Sequence, residues 1–577
     1  MTHAHNDPAC FADELIEGLV AANRGRIVQV EGGVIRRHRA APNSVVMVIG
    51  GGSGHYPAFG GLVGQGLAHG AAMGNVFASP SADQICAVAQ AVHAGGGILF
   101  CYNNYAGDVL NFDEAQRRLR ALGIDVRTVV VTDDIASAPP TEQHRRRGIA
   151  GSLAVFKAAG WACDSGASLD EVVRIASKAN QRVRTLGVAF SGCTLPGASA
   201  PLFSVEKGRM EVGMGIHGEP GLRSIAAPSA HGLAQQFVTE LLADVPPVVR
   251  TIEGARVAVI LNGLGAVKYE ELFVIYRSVD RLLAERGLAI VEPEVGEMVT
   301  SFDMAGVSLS LVWLDEELER SWTAASDTPA FRKGSVAPSN GELAETALRR
   351  TTRVLKPGSD ASRAAAAVAL EALNDASRVI AAASDELGRL DAVAGDGDHG
   401  IGMQRGLAAA VEAAEQALAA GVGVGTLLVT AGDAWAHRAG GTSGAIWGVL
   451  LHQLGDALGD VQAPDGPLVA TGFAAALRGV TESGKAKVGD KTMVDALDPF
   501  ARALAAATGD GQPLRLAWST AAHAASQAAH ATATLTPKIG RARPHAQRSV
   551  GTPDPGAISM AMILQAVAEV LAKRTCS

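Results

Sequence analysis

Four short stretches of this 577-residue sequence carry side chains suited to chemistry. His55 follows the glycine cluster of VVMVIGGGSGHYPAFGG, Asp108 sits beside a glycine in NNYAGDVLNF, and His217 is bracketed by glycines and a proline in GMGIHGEPG. A carboxylate and two histidines on glycine-rich loops would suit proton transfer or nucleophilic attack on a small molecule. Taken singly, each reads more readily as a loop residue than as a catalyst. The fourth stretch, LDAVAGDGDHGIGMQRG, places Asp391, Asp396 and Asp398 within eight residues. Carboxylates so crowded repel one another unless a cation sits among them. Donors that are all oxygen suit Mg2+ or Ca2+ rather than zinc, and no Glu closes the loop as an EF-hand requires. A solvated acidic loop is the alternative.

The glycines before His55 invite two nucleotide readings, and both fail. A dinucleotide fingerprint needs G-x-G-x-x-G and an acid about 20 residues on. Counted from Gly50 its third glycine falls on His55, counted from Gly52 it falls on Pro57, and no acid occurs between Glu31 and Asp83. The nearest P-loop, GVTESGKA from Gly479 to Ala486, has Ala486 in place of the Mg2+-binding hydroxyl and follows FAAALR, which has the texture of a helix. A tight turn at a strand's carboxyl end, where open α/β sheets bind small molecules, is the reading that remains, beside a purely structural turn.

The elements that must position these residues differ between the two halves. From Val45 to about Trp313, short β-branched runs (VVMVI, GILFCY, VRTVVVT, VAVILNG, LSLVWL) alternate with helical spacing such as SADQICAVAQAVHAG. This predicts an α/β half with mostly parallel sheets and flanking helices. After about Val354 the β-branched runs largely vanish and Ala-rich amphipathic segments predict an all-α half. Thr323 to Thr346, rich in Pro, Gly, Ser, Thr and Asn, reads as an exposed linker followed by a helix. The expected domains are 1–335, in two α/β subdomains with a break near 185–200, a linker 336–362, and an all-α domain 363–577.

Composition narrows the function classes. Lys and Arg total 50 against 58 Asp and Glu, a net charge of −8, with no basic run longer than the RRR of Arg145 to Arg147. Nucleic acid is therefore an unfavoured partner. The six cysteines include no C-x-x-C pair, so a reducing cytoplasm is the expected setting. The N-terminus lacks the basic-then-apolar order of a signal peptide, and no 18-residue apolar run is uninterrupted, so a soluble chain is expected.

Read together and in order, GGGSGH (Gly50–His55), NYAGDVLNF (Asn104–Phe112) and GIHGEPG (Gly215–Gly221) resemble the substrate-binding half of the dihydroxyacetone kinase family. The acidic loop, HRAGGTSGAIWG, GKAKVGDKTM and IGRARPHAQRSVGTPDPGA resemble the nucleotide-site segments of the same family, in its fused, single-chain, ATP-dependent form. The resemblance covers nearly the whole chain.

It implies a closed bundle of antiparallel helices holding ATP at one end through two Mg2+ ions. Asp391, Asp396 and Asp398 match the metal ligands. His399, Gly400, Ile401 and Gly402, with Thr442 and Ser443, match phosphate contacts, and Gly484, Met493, Arg541, Asp554, Pro555 and Gly556 match other residues of the nucleotide site. In the first half His217 matches a histidine that holds a short-chain ketose as a covalent hemiaminal. Asp108 matches the group that takes the proton of the attacking hydroxyl, and His55 the group that orients the sugar. Gly52, Ser53 and Gly54 match backbone contacts. A homodimer in which the two halves meet across subunits is implied too.

Two departures bear on the substrate. Where the family commonly reads G-H-E-P-A-H, this chain has Gly54, His55, Tyr56, Pro57, Ala58 and Phe59, and where it commonly has a lysine this chain has Asn103. Loss of that lysine enlarges the pocket edge, and Tyr56 changes the lid. The expected substrate thus shifts from dihydroxyacetone towards a four-carbon ketose such as erythrulose. A nucleotide-binding regulator on the same fold, a kinase with another acceptor such as a bound fatty acid, and a phosphotransferase-system type of ketose kinase are the alternatives.

Overall fold

Runs such as VMVI and ILFCY are apolar at every position, which suits strands covered on both faces. In the computed structural model, β3 (Val46–Ser53) and β5 (Ile98–Asn103) are buried along their whole length. The structure describes residues 4–198, 200–219, 221–339, 341–346, 355–395, 397–540 and 546–573. The chain forms two compact units, Met1–Arg350 and Thr351–Ser577.

The first unit holds two main sheets. One contains β1 (Ile27–Val30), β2 (Gly33–Arg36), β3, β4 (Gly70–Val76), β5 and β6 (Val126–Val131), in the spatial order β1-β2-β4-β3-β5-β6. Strands β4, β3, β5 and β6 run parallel, and β1 and β2 add an antiparallel edge. Helices α1 (Phe11–Ala22), α2 (Ala82–Val92), α3 (Ala106–Ala121), α4 (Ser152–Asp164) and α5 (Leu169–Gln181) belong to this part of the chain. Since β4 and β5 flank β3 on opposite sides, the carboxyl end of β3 is a topological switch point, the place where open α/β sheets leave a crevice.

The second sheet contains β7 (Val183–Ala189), β8 (Arg209–Val212), β9 (Arg223–Ala226), β10 (Arg256–Gly263), β11 (Ala289–Ile290), β12 (Glu294–Gly296) and β13 (Gly306–Trp313). Its order is β11-β10-β13-β7-β8-β9, with β12 also on β10. Helices α6 (Ala230–Ala243), α7 (Tyr269–Glu285) and α8 (Glu316–Thr323) accompany it. Here the expectation of mostly parallel sheets needs correction: β10, β13, β7, β8 and β9 pair antiparallel throughout, and only β11 and β12 lie parallel to β10. An apolar β-branched run completes its ladder in either direction, so its composition carries no sense of pairing.

Two further readings are corrected. Gly50, Gly51 and Gly52 lie within β3 and make no turn. They are glycine because neighbours press on the strand: a Cβ on Gly51 would stand 2.3 Å from the Phe59 ring, and one on Gly52 2.6 Å from the Ala78 nitrogen. The segment from Thr323 to Thr346 is not an exposed linker throughout. It forms a hairpin of β14 (Ser326–Asp327) and β15 (Arg332–Lys333), with Phe331 in the first unit's core and Asp327 paired to Arg26 at 2.9 Å.

The second unit is helical. It comprises α9 (Asp360–Asp391), α10 (His399–Ala419), α11 (Val424–Ala439), α12 (Gly441–Leu458), α13 (Gly466–Gly484), α14 (Val494–Gly509), α15 (Leu514–Ala531), the short α16 (Ala546–Ser549) and α17 (Pro555–Lys573). From α9 to α15 each helix packs on its successor, and α17 packs on both α15 and α9, which closes the ring. Helix α17 is long and apolar enough to cross a membrane by length and composition, with mean hydropathy 1.6, yet half of that stretch is buried inside the unit. GVTESGKA begins inside α13, runs two residues past its end at Gly484, and follows no strand, so it lacks a P-loop's context.

Candidate active site

Chain direction brings the two candidate histidines of the first unit together. The carboxyl end of β3 delivers His55, that of β5 delivers Asn103, and Asp108 follows in the first turn of α3. His217 arrives from the second sheet, on the loop between β8 and β9. The two histidines meet with Nε2 atoms 3.0 Å apart and rings nearly perpendicular. Both are buried, as is Asp108.

Partners fix each ring. His55 Nδ1 lies 2.8 Å from the Thr300 carbonyl oxygen, which can only accept, so Nδ1 carries the proton. Phe77 stacks on the face of His55, centroids 4.9 Å apart. His217 Nδ1 lies 3.3 Å from Glu219 Oε1, its backbone N–H donates to Glu219 Oε2 at 3.0 Å, and Tyr105 meets the ring edge-on at 4.4 Å. Behind Glu219 stands Arg147, whose guanidinium donates to Asp134 Oδ2 and to the Gly213 carbonyl. A Cβ on Gly215 would lie 2.1 Å from Glu219 Oε2 and 2.6 Å from Arg147 Nη1, so acid and guanidinium face each other across a position only glycine can occupy. Burial would lower the Arg147 pKa, but Asp134 and Glu219 outweigh it and hold the guanidinium firmly charged.

The floor is aromatic and strained. Gly54, at φ 99°, is held between the Phe77 and Phe302 rings, and both phenylalanines have φ 55°. Such backbone costs on the order of 1–2 kcal/mol per residue and persists where the surroundings over-determine it, typically at ligand sites.

Several predicted sugar contacts have other duties here. The Ser53 hydroxyl donates to the Gly74 carbonyl at 2.7 Å, and the Gly54 carbonyl accepts from Phe302 N at 2.9 Å. Tyr56 is 40% exposed with its ring against Gly61, and its carbonyl accepts from the Thr300 hydroxyl. Phe59 lies in the core. Asn103 is 2% exposed, and both its amide atoms, like the Tyr105 hydroxyl, are buried with no hydrogen-bond partner among the described residues. Burying such atoms unpaired costs about 1–3 kcal/mol each, so the site fits a ligand rich in hydroxyl and carbonyl groups.

In the second unit, helix starts converge. His399 at the start of α10 places Nε2 2.9 Å from Ser559 Oγ near the start of α17, and Nδ1 3.5 Å from Ser443 Oγ near the start of α12. Thr442 precedes Ser443 on α12, Gly484 ends α13 beside Ile446, and Ile401 and Gly402 continue α10. Gly400 lies tight against the Ser384 carbonyl, a Cβ there coming to 1.9 Å. Pro555 and Gly556 open α17, where Gly556 approaches Met493, the residue before α14. Helix N-termini gathered in this way offer N–H groups and positive dipole ends to phosphate.

Acids gather at the same end. Asp391 closes α9 and accepts from Gly397 N at 2.8 Å, and Asp398 precedes α10. Burial, with the charges of Asp391 and Asp495, pushes Asp554 up to about 7. Carboxylate oxygens of this kind suit a hard divalent cation such as Mg2+. Asp396 and Arg541 lie outside the described residues. Among the described residues no three His, Cys, Asp or Glu side chains form a ready metal site.

Residues 17–330 match the Dak1 domain and residues 393–569 the DAK2 domain. The chain belongs to the dihydroxyacetone kinase family, in its fused form. Membership makes it a phosphotransferase with an alcohol acceptor. Among curated family members, an L-erythrulose kinase of Pectobacterium atrosepticum is 58% identical over 100% of this chain and 98% of its own length. A D-erythrulose kinase of Mycolicibacterium smegmatis is 50% identical over 100% and 99%. The crystal structure of the dihydroxyacetone kinase from C. freundii in complex with AMP-PNP and Mg2+ is similar at TM-score 0.52 and 29% identity, over 98% of this chain and 99% of that one.

The family motifs contain Glu219 and Tyr105, but their contacts, like those of Thr300, Phe77 and Arg147, are visible only in the structure. An acid two residues after the histidine in GIHGEPG was the one available signal. Thr300 and Phe77 stand in no motif and are placed by packing alone.

Proposed function

We propose that this chain is an ATP- and Mg2+-dependent kinase that phosphorylates a terminal hydroxyl of a short-chain ketose, with a four-carbon ketose such as erythrulose preferred to dihydroxyacetone. The observation that carries the reading is the 3.0 Å meeting of His55 and His217 at the switch point of the first sheet, beside the unpaired amide of Asn103. Similarity over the full length to an L- and a D-erythrulose kinase supports the four-carbon preference.

In this reading His217 Nε2 adds to the ketose carbonyl and holds the sugar as a hemiaminal, which selects carbonyl sugars over glycerol and fixes the terminal hydroxyl for transfer. His55 orients the sugar, Gly52, Ser53 and Gly54 line it with backbone, and Tyr56 and Asn103 border it. Asp108 accepts the proton of the terminal hydroxyl as it attacks the γ-phosphate. Asp391, Asp396 and Asp398 would hold two Mg2+ ions, which supply charge neutralisation when bound. The loop His399–Gly402, Thr442 and Ser443 would take the phosphates. Gly484, Met493, Arg541, Asp554, Pro555 and Gly556 would line the rest of the nucleotide site. Residues 1–335 serve the ketose, 363–577 the nucleotide, and 336–362 link them, in a cytoplasmic homodimer whose halves meet across subunits.

The test is a comparison of kcat/KM for D-erythrulose, L-erythrulose and dihydroxyacetone with Mg2+ and ATP. A tetrulose preference is expected. A strong preference for the triose defeats the four-carbon assignment, and no ketose-dependent ADP release with any of the three defeats the kinase reading.

A further inference from the structure

His217 can act as a nucleophile only if Nε2 presents a lone pair. Its Nδ1 lies against a carboxylate oxygen of Glu219, an acceptor, so the ring proton belongs on Nδ1 and the Nε2 lone pair is directed at His55. The same carboxylate binds the His217 backbone N–H through its other oxygen, so loop and ring are held by one side chain. His55 is likewise protonated at Nδ1 by its bond to Thr300. Two nitrogens facing each other at 3.0 Å with both Nδ1 positions protonated need a third proton between them. The His55–His217 pair therefore carries one positive charge, and Glu219 is the adjacent negative one.

We infer that Glu219 is a positioning residue for His217: it sets the tautomer of the ring, and its charge stabilises the cationic adduct formed when Nε2 bonds to the ketose. Glu219 is 3% exposed and reaches the ring from the side opposite His55. Arg147, held by Asp134, faces it across Gly215 as the adjacent positive charge. This deepens the kinase reading above and rests on it. In the step, the Nε2 lone pair forms the bond to the carbonyl carbon. The C=O π pair moves to oxygen, which takes the shared proton from His55 Nε2. His55 ends neutral, and the alkylated His217 ring carries the positive charge, with its Nδ1–H still directed at Glu219. Without the carboxylate that charge would be buried without its counter-ion, a costly state.

The test uses the full chain with Glu219→Gln and Glu219→Asp, alone and combined with His217→Ala. Glu219→Gln puts an NH2 donor where one of the two carboxylate oxygens accepts, so the contact to the ring Nδ1–H or to the backbone N–H is lost in the present geometry. Glu219→Gln is expected to lower kcat/KM for the ketose roughly 10²-fold with the KM for ATP unchanged, and Glu219→Asp to recover part of it. In the His217→Ala background Glu219→Gln is expected to change nothing further, because its effect passes through His217. With ketose labelled at the carbonyl carbon, 13C NMR should show the adduct in the parent chain and its loss in Glu219→Gln. An unchanged kcat/KM with the adduct intact overturns the role of Glu219 alone. So does an equal additional loss in the His217→Ala background, which marks a merely structural side chain. Absence of both adduct and turnover in the parent chain overturns the kinase reading instead.

Discussion

Phe77 lies flat against His55, ring centroids 4.9 Å apart and planes 7° from parallel, and reaches this place from a backbone at φ 55°. It also meets His217 edge-on at 5.5 Å. One side chain, 22 positions after His55 in the sequence, thus sets the attitude of both histidines. Phe77→Leu keeps bulk and removes the stacking. It should lower stability by about 1 kcal/mol and lower kcat/KM for the ketose more than it changes the KM for ATP. Steady-state kinetics beside thermal melts check this, and unchanged kinetics would leave Phe77 with a packing role only.

Asp108→Asn retains the size of the side chain and removes its basicity. A loss in kcat of roughly 10²–10⁴ is expected, with the ketose still bound as the carbonyl adduct. Turnover near that of the parent, with folding intact, would remove Asp108 from the role of base.

Asn103→Lys introduces a lysine in a position that is 2% exposed and tight against Gly148. The longer, charged side chain fills space and supplies a cationic donor. The ratio of kcat/KM for dihydroxyacetone to that for erythrulose should rise by about tenfold or more. A ratio that stays put would locate four-carbon selection elsewhere.

Asp164 ties α4 to β2 and to the β3–β4 connection. It accepts from Arg36 at 2.8 and 3.1 Å and from Gly66 N at 2.7 Å, and lies 3.4 Å from His69 Nε2. Burial opposes its ionisation, but Arg36 and His69 outweigh burial and hold the carboxyl well below the usual carboxylate range. A depressed folded pKa means the contribution is present above the unfolded value of about 4 and is lost as pH falls through the folded pKa. Asp164→Asn should therefore melt several degrees lower than the parent at pH 7, and the gap should narrow as pH drops below about 4. A gap independent of pH would show that packing, and not charge, is what the substitution removes.

Chelation should stop phosphoryl transfer and added Mg2+ restore it. Asp391→Asn should raise the Mg2+ concentration for half-maximal rate by about tenfold or more, since one charged donor is lost. An unchanged Mg2+ requirement would exclude Asp391 as a ligand.

The α/β and all-α halves, the family, and the segments that bear His55, Asp108, His217 and the acids are legible in the sequence alone, although Asp108 and Asp391 lie in helices where loops are expected. These are local properties: hydrophobic period, turn residues, and motif spacing within ten to twenty positions. Which atoms meet follows from tertiary packing. His55 bonds to Thr300, 245 residues away, and faces His217, 162 residues away, because two separate sheets bring their loop ends to one place. No period in the chain encodes that approach. The glycines at 50–52 show the same limit, since they read as a turn and are strand, made small by Phe59 and Ala78 pressing on them. The antiparallel sense of the second sheet was equally hidden, because an apolar strand pairs in either direction. Glu219 and Arg147 stand in plain sight in the sequence, but their meeting across Gly215 depends on a loop wrapping back on itself, a matter of packing.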